Sequence, residues 1–131
     1  MVKSAKYNVN SALAVVDGTL ATDLAIHRFD EPTRTKTHLF SVNGSLGRQF
    51  AIIVGDLDKK TGRFKNNRTR IVLEQCEVPV LDYVEPMLEN AGSHRLAQSD
   101  SKLIPPNQTS VLVTDESALK RLLRWYAGRT A

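Results

Sequence analysis

The sequence has a single cysteine, Cys76, so a disulfide within the chain is excluded. It has no apolar run close to the roughly 18 residues of a membrane-spanning helix, and its N-terminus lacks the long apolar stretch of a signal peptide. We therefore expect a protein that is not secreted and has no membrane partner. Cys76 follows the apolar residues Ile71, Val72 and Leu73 of a predicted strand, which indicates a small buried hydrophobic side chain rather than a catalytic thiol.

Motifs for metal binding and catalysis are also missing. His27, His38 and His94 are isolated, and none has a partner at metal-ligand spacing. Residues 56–62 resemble the start of a calcium-binding loop, but Asn67 stands where that loop needs a glutamate. No motif places a phosphate-binding loop, a Ser/His/Asp set or a pair of carboxylates. We therefore predict a protein that is not an enzyme and has no cofactor, no metal and no small-molecule substrate.

Positive charge is concentrated in one part of the chain. Residues 48–70 have a net charge of +5 while the whole chain has +4, so the remainder is at −1. This segment surrounds the turn DKKTG and continues into a strand that contains Arg68 and Arg70. Local positive charge is typical of a surface that binds a polyanion. The alternative is a solvated hairpin tip whose lysines keep sheets from joining edge to edge.

The length of 131 residues and the 41% hydrophobic content predict a single domain over residues 1–131 with a core of its own. Residues 9–29 are interpreted as two strands around Asp17–Gly18, because Asp-Gly between apolar runs is typical of a hairpin turn. Further strands are predicted at THLFSVNG, RQFAIIVGDL, NRTRIVLEQCEVPV and TSVLV. A short helical turn around residues 84–90 is one interpretation of the less regular segment 81–108.

The long basic strand has no purely apolar face. Alternation puts Arg68 and Arg70 on one face, and Thr69 and Ile71 on the other. We therefore expect cover on both sides of this strand, a core helix on one and a partner or ligand on the other.

The C-terminal segment predicts a helix. Thr114 or Asp115 suits its N-terminus, and Gly128 is a typical stop. Many strands followed by one helix predict an α+β fold, an antiparallel β-sheet with the helix packed on one face. Apolar residues recur at helical spacing, namely Leu119, Leu122, Leu123 and Tyr126.

Four stretches of the chain carry a resemblance to a known family. They are SALAVVDGTLATDLAIHRF, HLFSVNGSLGRQFAIIVGDL, NNRTRIVLEQCEVP and KLIPPNQTSVLVTDESALKRLLRWYAG, which together cover most of residues 10–127. They resemble the N-terminal hairpin, the strand pair, the basic strand, and the closing strand and helix of the coat proteins of single-stranded RNA bacteriophages, the levivirus group. The family usually has two C-terminal helices where this chain has one.

The resemblance implies a capsid protein with an N-terminal hairpin and a homodimer in which two sheets join edge to edge. The helix of each subunit would pack on its partner's sheet, with a dimer interface at Leu119, Leu122, Leu123 and Tyr126. Many dimers would assemble in the host bacterial cytoplasm into an icosahedral virion around the single-stranded RNA genome. RNA would contact the sheet face and the basic segment through Arg48, Lys59, Lys60, Arg63, Lys65, Arg68, Arg70 and Gln75.

Two other functions stay open. A small stand-alone nucleic-acid-binding domain of a mobile element would also have basic hairpins, and could stack bases on Phe40, Phe50 and Phe64. An interaction module without nucleic acid would use its lysines only to protect a sheet edge. For Arg68 and Arg70 the structural alternative is an ion pair with Glu74 or Glu77.

Overall fold

The computed structural model describes residues 7–28, 37–42, 48–55, 57–65, 68–87, 103 and 108–128. Its centre is a six-stranded antiparallel sheet, and the helices from both ends of the described chain share one core with one face of that sheet. The predicted α+β class is therefore confirmed.

Residues 9–24 are helical, so the predicted N-terminal hairpin is wrong, although Ile26–Arg28 at the end of its second predicted strand do form a strand. Helix α1 (Val9–Val15) begins at Asn8, whose side chain accepts a hydrogen bond from the amide of Asn10 at 2.8 Å. A π-type segment over Val16–Leu20 with a kink at Gly18 joins it to helix α2 (Ala21–Leu24). The buried residues recur at helical spacing and decide the outcome over the Asp-Gly signal; they are Val9, Ala12, Leu13, Val16, Leu20 and Leu24.

The main sheet has the strand order β1-β2-β3-β6-β8-β7, and all neighbouring strands are antiparallel. Strands β4 and β5 form a separate two-stranded hairpin between β3 and β6 along the chain. The strands are β1 (Ile26–Arg28), β2 (Thr37–Val42), β3 (Gln49–Ile53), β4 (Leu57–Asp58), β5 (Arg63–Phe64), β6 (Thr69–Leu73), β7 (Val84–Pro86) and β8 (Thr109–Val113).

Several predicted strands are confirmed, with changed bounds. THLFSVNG contains β2, RQFAIIVGDL contains β3, and TSVLV is β8. The long strand predicted over 67–80 is shorter, because β6 ends at Leu73. The helical turn considered around 84–90 is wrong for Val84–Pro86, which is the edge strand β7. Residues 88–90 lie outside the described ranges.

Helix α3 (Glu116–Tyr126) confirms the predicted C-terminal helix. Asp115 caps its N-terminus, since its carboxylate accepts a hydrogen bond from the amide of Ala118 at 3.2 Å. Gly128, with a left-handed φ of 85°, follows the last turn and its amide donates to the Trp125 carbonyl at 2.9 Å. The apolar side of α3 packs in the core with residues of its own sheet.

The two faces of the sheet differ in what they bury. Residues such as Phe50 and Ile71 belong to the large core shared with the helices. The other face has a smaller cluster, in which Leu103 joins side chains from β2, β3 and β6. The chain's own residues therefore cover part of this second face, which the sequence predicts to be covered by a partner or ligand. The cluster consists of Leu39, Ala51, Ile53, Val72 and Leu103.

Candidate nucleic-acid interface

The β4–β5 hairpin, residues 57–65, carries most of the positive charge, and we call it the basic hairpin. Asp58 and Arg63 face each other in its register. Gly62, at a left-handed φ of 72°, closes the turn by donating its amide to the Asp58 carbonyl at 2.8 Å. The Asp58 carboxylate accepts from the amide of Lys60 at 2.9 Å. These short-range bonds define the turn conformation that carries Lys59 and Lys60.

The basic hairpin is attached to the main fold at β5. The side-chain amide of Asn10 donates to the Phe64 carbonyl at 2.9 Å and accepts from the Phe64 amide at 3.0 Å, as a neighbouring strand would. The ring of Phe64 packs against the large core and meets the His38 ring edge-on at 5.4 Å. The hairpin therefore has a defined position relative to α1 and the sheet.

The basic side chains of this hairpin face solvent. Lys59, Lys60, Arg63 and Lys65 are all exposed. Within the described ranges no salt bridge involves any of them; the two salt bridges found there are Lys120–Glu116 and Arg124–Asp23, between side chains of the helices. Asp58 is the one acid in residues 57–65, so the hairpin keeps a net positive charge. Clustered and uncompensated cations of this kind attract a polyanion.

Arg48 lies apart from the basic hairpin. It precedes β3, and its guanidinium donates to the Tyr126 carbonyl at 3.0 Å and lies 5.2 Å from the centre of the Tyr126 ring. A cation at the last carbonyls of a helix is favourable. Arg48 therefore contacts the C-terminal end of α3, and the RNA contact that the resemblance implies for it stays a prediction.

Arg68 and Arg70 differ from each other. Arg68 is exposed just before β6, whereas Arg70 is half-buried between Ile53 and Leu112 on the neighbouring strands. The Nε of Arg70 is buried and makes no hydrogen bond. Among the described residues Arg70 forms no salt bridge with Glu74 or Glu77, and Glu74 accepts a hydrogen bond from the amide of Gln49 at 2.8 Å.

Gln75 follows β6, is exposed, and lies at the end of β6 away from the basic hairpin. The residues predicted to form one RNA surface are therefore divided. Four of them lie on the hairpin with Arg68 close by in sequence, while Arg48 and Gln75 belong to the opposite end of the β3–β6 pair.

The four residues assigned to a dimer interface are buried within the chain itself. Leu119, Leu122, Leu123 and Tyr126 each have 0% exposure and belong to the large core. They have no surface available for a second copy in this arrangement. A subunit exchange of α3 would require the helix to leave its own sheet, so the dimer of the resemblance stays a prediction.

Tyr126 closes the end of the β3–β6 ladder. Its hydroxyl accepts from the Glu74 amide at 2.9 Å and donates to the Gln49 carbonyl, so it stands between two backbone groups that would otherwise pair. This insertion explains why β6 ends at Leu73. Burial raises the pKa of the Tyr126 hydroxyl, which therefore stays protonated and able to donate.

Cys76 is half-buried against the large core, and burial raises the pKa of its thiol. A raised pKa keeps the group as a thiol at neutral pH, which agrees with a packing role. In the described ranges no group of three or more His, Cys, Asp or Glu side chains could hold a metal ion. No helix in those ranges is long and apolar enough to cross a membrane.

The residues that attach the basic hairpin to the main fold are not predictable from the sequence. Asn10 and His38 contact Phe64 from segments far away along the chain, and no motif connects them. The only local signal was the pair Asn8 and Asn10 before an apolar run, which is typical of a helix start. Comparison with known proteins finds no matching family model, no similar curated protein and no similar solved structure.

Proposed function

We propose that this chain is a coat-type structural protein that binds single-stranded RNA and assembles from many copies around it. The observation that supports this best is the basic hairpin, which presents Lys59, Lys60, Arg63 and Lys65 to solvent on an attached scaffold. Cations on an attached scaffold lose less conformational freedom on binding than cations on a loose loop.

The proposed contacts are to phosphates and not to particular bases. Each cation that meets a phosphate releases a counterion, which makes binding weaken with rising salt. One hairpin would bind RNA weakly, and many copies on one RNA would bind it well through multivalency. The basic hairpin is a better candidate for these phosphate contacts than the second sheet face, because Leu39, Ala51 and Val72 on that face are buried within the chain.

The antiparallel sheet followed by a C-terminal helix agrees with the coat-protein resemblance. The helical N-terminus, and the packing of α3 on its own sheet, depart from it. In this proposal the copies associate through surfaces other than the buried side of α3. The stand-alone nucleic-acid-binding domain has the same hairpin chemistry and differs in assembly state, so a measurement of size separates the two.

The RNA contact can be tested with two variants of equal charge. Lys59→Ala/Lys60→Ala removes two cations from the basic hairpin, whereas Lys120→Ala/Arg121→Ala removes two from α3. Filter binding of a short single-stranded RNA should weaken only for the hairpin variant. Its plot of log affinity against log salt should become shallower by about 1.4, for two lost phosphate contacts at about 0.7 each. Equal behaviour of the two variants would contradict the proposal.

The assembly state can be measured on protein purified from bacteria. A sizing column with absorbance at the nucleic-acid and protein maxima should give very large particles rich in RNA. A small species that binds added RNA would instead favour the stand-alone domain. A small species that does not bind RNA would favour the interaction module, in which the lysines only protect a sheet edge.

A further inference from the structure

A second charged region of opposite sign lies at the β7 edge of the sheet. Residues 74–87 contain Glu74, Glu77, Asp82 and Glu85 and no Lys or Arg. Glu74 is engaged with the backbone of β3, whereas Glu77 and Asp82 are exposed and form no salt bridge with any other described residue. This segment is therefore acidic on its surface, in a chain whose net charge is +4.

The same segment forms an apolar groove. A cavity of about 140 Å³ opens between the chain after β6 and the edge strand β7. Val80 at its border is fully exposed, the one large apolar side chain in the described ranges with that property. Isolated apolar residues at a surface need no explanation, but an apolar groove beside acidic side chains at a sheet edge is typical of a docking surface. The groove is lined by Val78, Pro79, Val80, Val84, Pro86 and Val111.

We propose that this groove, with Glu77 and Asp82 beside it, binds the basic hairpin of a second copy of this chain. The occupant follows from charge and shape. The turn at Lys59 and Lys60 is exposed and positively charged, and lysine combines an apolar stem with a cationic end. The stems would cover Val80 and its neighbours, and the ammonium groups would reach Glu77 and Asp82.

Such a contact joins two different surfaces, the hairpin of one copy and the edge of another. Two reciprocal hairpin–groove contacts would close an isologous two-fold pair, whereas a single contact between each two copies would be heterologous and continue from copy to copy. The overall charge of +4 makes copies repel each other at long range, so only a local complementary contact brings them together. The contact does not depend on RNA, and RNA would compete with the groove for the same lysines.

A charge-swap experiment tests this contact on RNA-free protein. One variant, Lys59→Glu/Lys60→Glu, makes the hairpin acidic; the other, Glu77→Lys/Asp82→Lys, makes the edge basic. Self-association is measured by analytical ultracentrifugation after nuclease treatment, at about 0.01 M and about 1 M salt, where the Debye length is about 30 Å and about 3 Å. The wild type should associate at low salt and dissociate at high salt.

Each variant alone should associate at least about tenfold more weakly than the wild type, because like charges then face each other. An equal mixture of the two should recover association, because the acidic hairpin of one fits the basic edge of the other. A wild type that stays monomeric at low salt would overturn the inference. So would folded variants that associate as the wild type does, or that do not recover on mixing.

Circular dichroism of each variant establishes that it is folded. If a charge reversal prevents folding, Lys59→Gln/Lys60→Gln and Glu77→Gln/Asp82→Asn replace the reversals, and each should weaken association in the same assay. Filter binding of RNA to Glu77→Lys/Asp82→Lys separates the two proposals. This variant keeps the basic hairpin, so it should bind RNA at least as well as the wild type while its self-association is lost.

Discussion

The two ends of the β3–β6 strand pair both carry basic residues, but the surroundings of those residues differ. At one end the chain leaves the sheet into the basic hairpin, where Lys59 and Lys60 are exposed. At the other end the Arg48 guanidinium donates a hydrogen bond to the Tyr126 carbonyl at the end of α3. The Tyr126 hydroxyl bridges the Glu74 amide and the Gln49 carbonyl there. A basic residue becomes available to a partner only where the fold brings no acceptor to it. Charge counted along the sequence does not make that distinction.

The largest expected effect on the free energy of unfolding concerns α3, the helix that packs at the Arg48 end of the β3–β6 pair. Leu122→Ala should lower the free energy of unfolding by about 2–5 kcal/mol, because a fully buried leucine leaves a cavity. Urea denaturation at several protein concentrations measures it. Since α3 packs on its own sheet, the wild-type midpoint should not change with concentration at about 1 M salt, where the hairpin–groove contact between copies dissociates. A midpoint that rises with concentration would instead indicate that folding is coupled to dimer formation.

An intermediate effect on stability is expected for removal of the Tyr126 hydroxyl, which bridges β3 and the residue after β6. Tyr126→Phe leaves the Glu74 amide and the Gln49 carbonyl without their bridging group, and should cost about 1–3 kcal/mol. Tyr7→Phe is the matched control, because the Tyr7 hydroxyl is buried and makes no hydrogen bond. Burial with the charges of Asp115 and Glu116 raises the pKa of Tyr7 to about 12.

Removal of the Tyr7 hydroxyl should therefore leave thermal stability unchanged or raise it slightly, because an unpaired buried polar group is unfavourable. Equal destabilisation by the two tyrosine variants would contradict the role given to Tyr126. It would show that the loss of any tyrosine hydroxyl has the same effect in this fold, and that the ladder end is not special.

The smallest effects on stability should come from single alanine substitutions of an arginine or a lysine at the two ends of the β3–β6 pair. Arg48→Ala should cost about 0.5–1.5 kcal/mol through the lost hydrogen bond to α3. Lys59→Ala should stay within about 0.5 kcal/mol, since its side chain is exposed. RNA binding should show the reverse order, with a shallower salt dependence for Lys59→Ala only. If Arg48→Ala reduces RNA binding without destabilising the protein, the comparison between the two ends fails.

The sequence predicts the parts of this fold that depend on local signals. Helix α3 follows from the cap at Asp115, the apolar spacing from Leu119 and the stop at Gly128. Strands β2, β3 and β8 follow from short apolar runs. The prediction for the N-terminal segment is wrong because Asp17–Gly18 is typical of a hairpin turn, whereas the helical spacing of the buried residues on both sides decides the structure.

In the candidate site, the basic hairpin is predictable from the sequence only in part. Its charge and its turn follow from the sequence alone, because both are properties of consecutive residues. Its attachment through Asn10 and His38 does not, because those contacts join segments that are far apart along the chain. The apolar groove at β7 is not predicted either, since residues 74–80 are assigned to the long basic strand and the irregular pattern of residues 81–87 does not indicate an edge strand.

By itself, then, the sequence determined an α+β chain with a C-terminal helix and one strongly basic turn, since periodicity, caps and charge are local properties. Only the tertiary structure decided which of the basic residues are available. Arg48 is separated by 78 positions from the carbonyl that binds it, and Tyr126 enters a ladder whose strands lie far before it in the chain. Whether a charge faces a partner depends on such long-range acceptors, which appear only once the sheet and the helix have packed together.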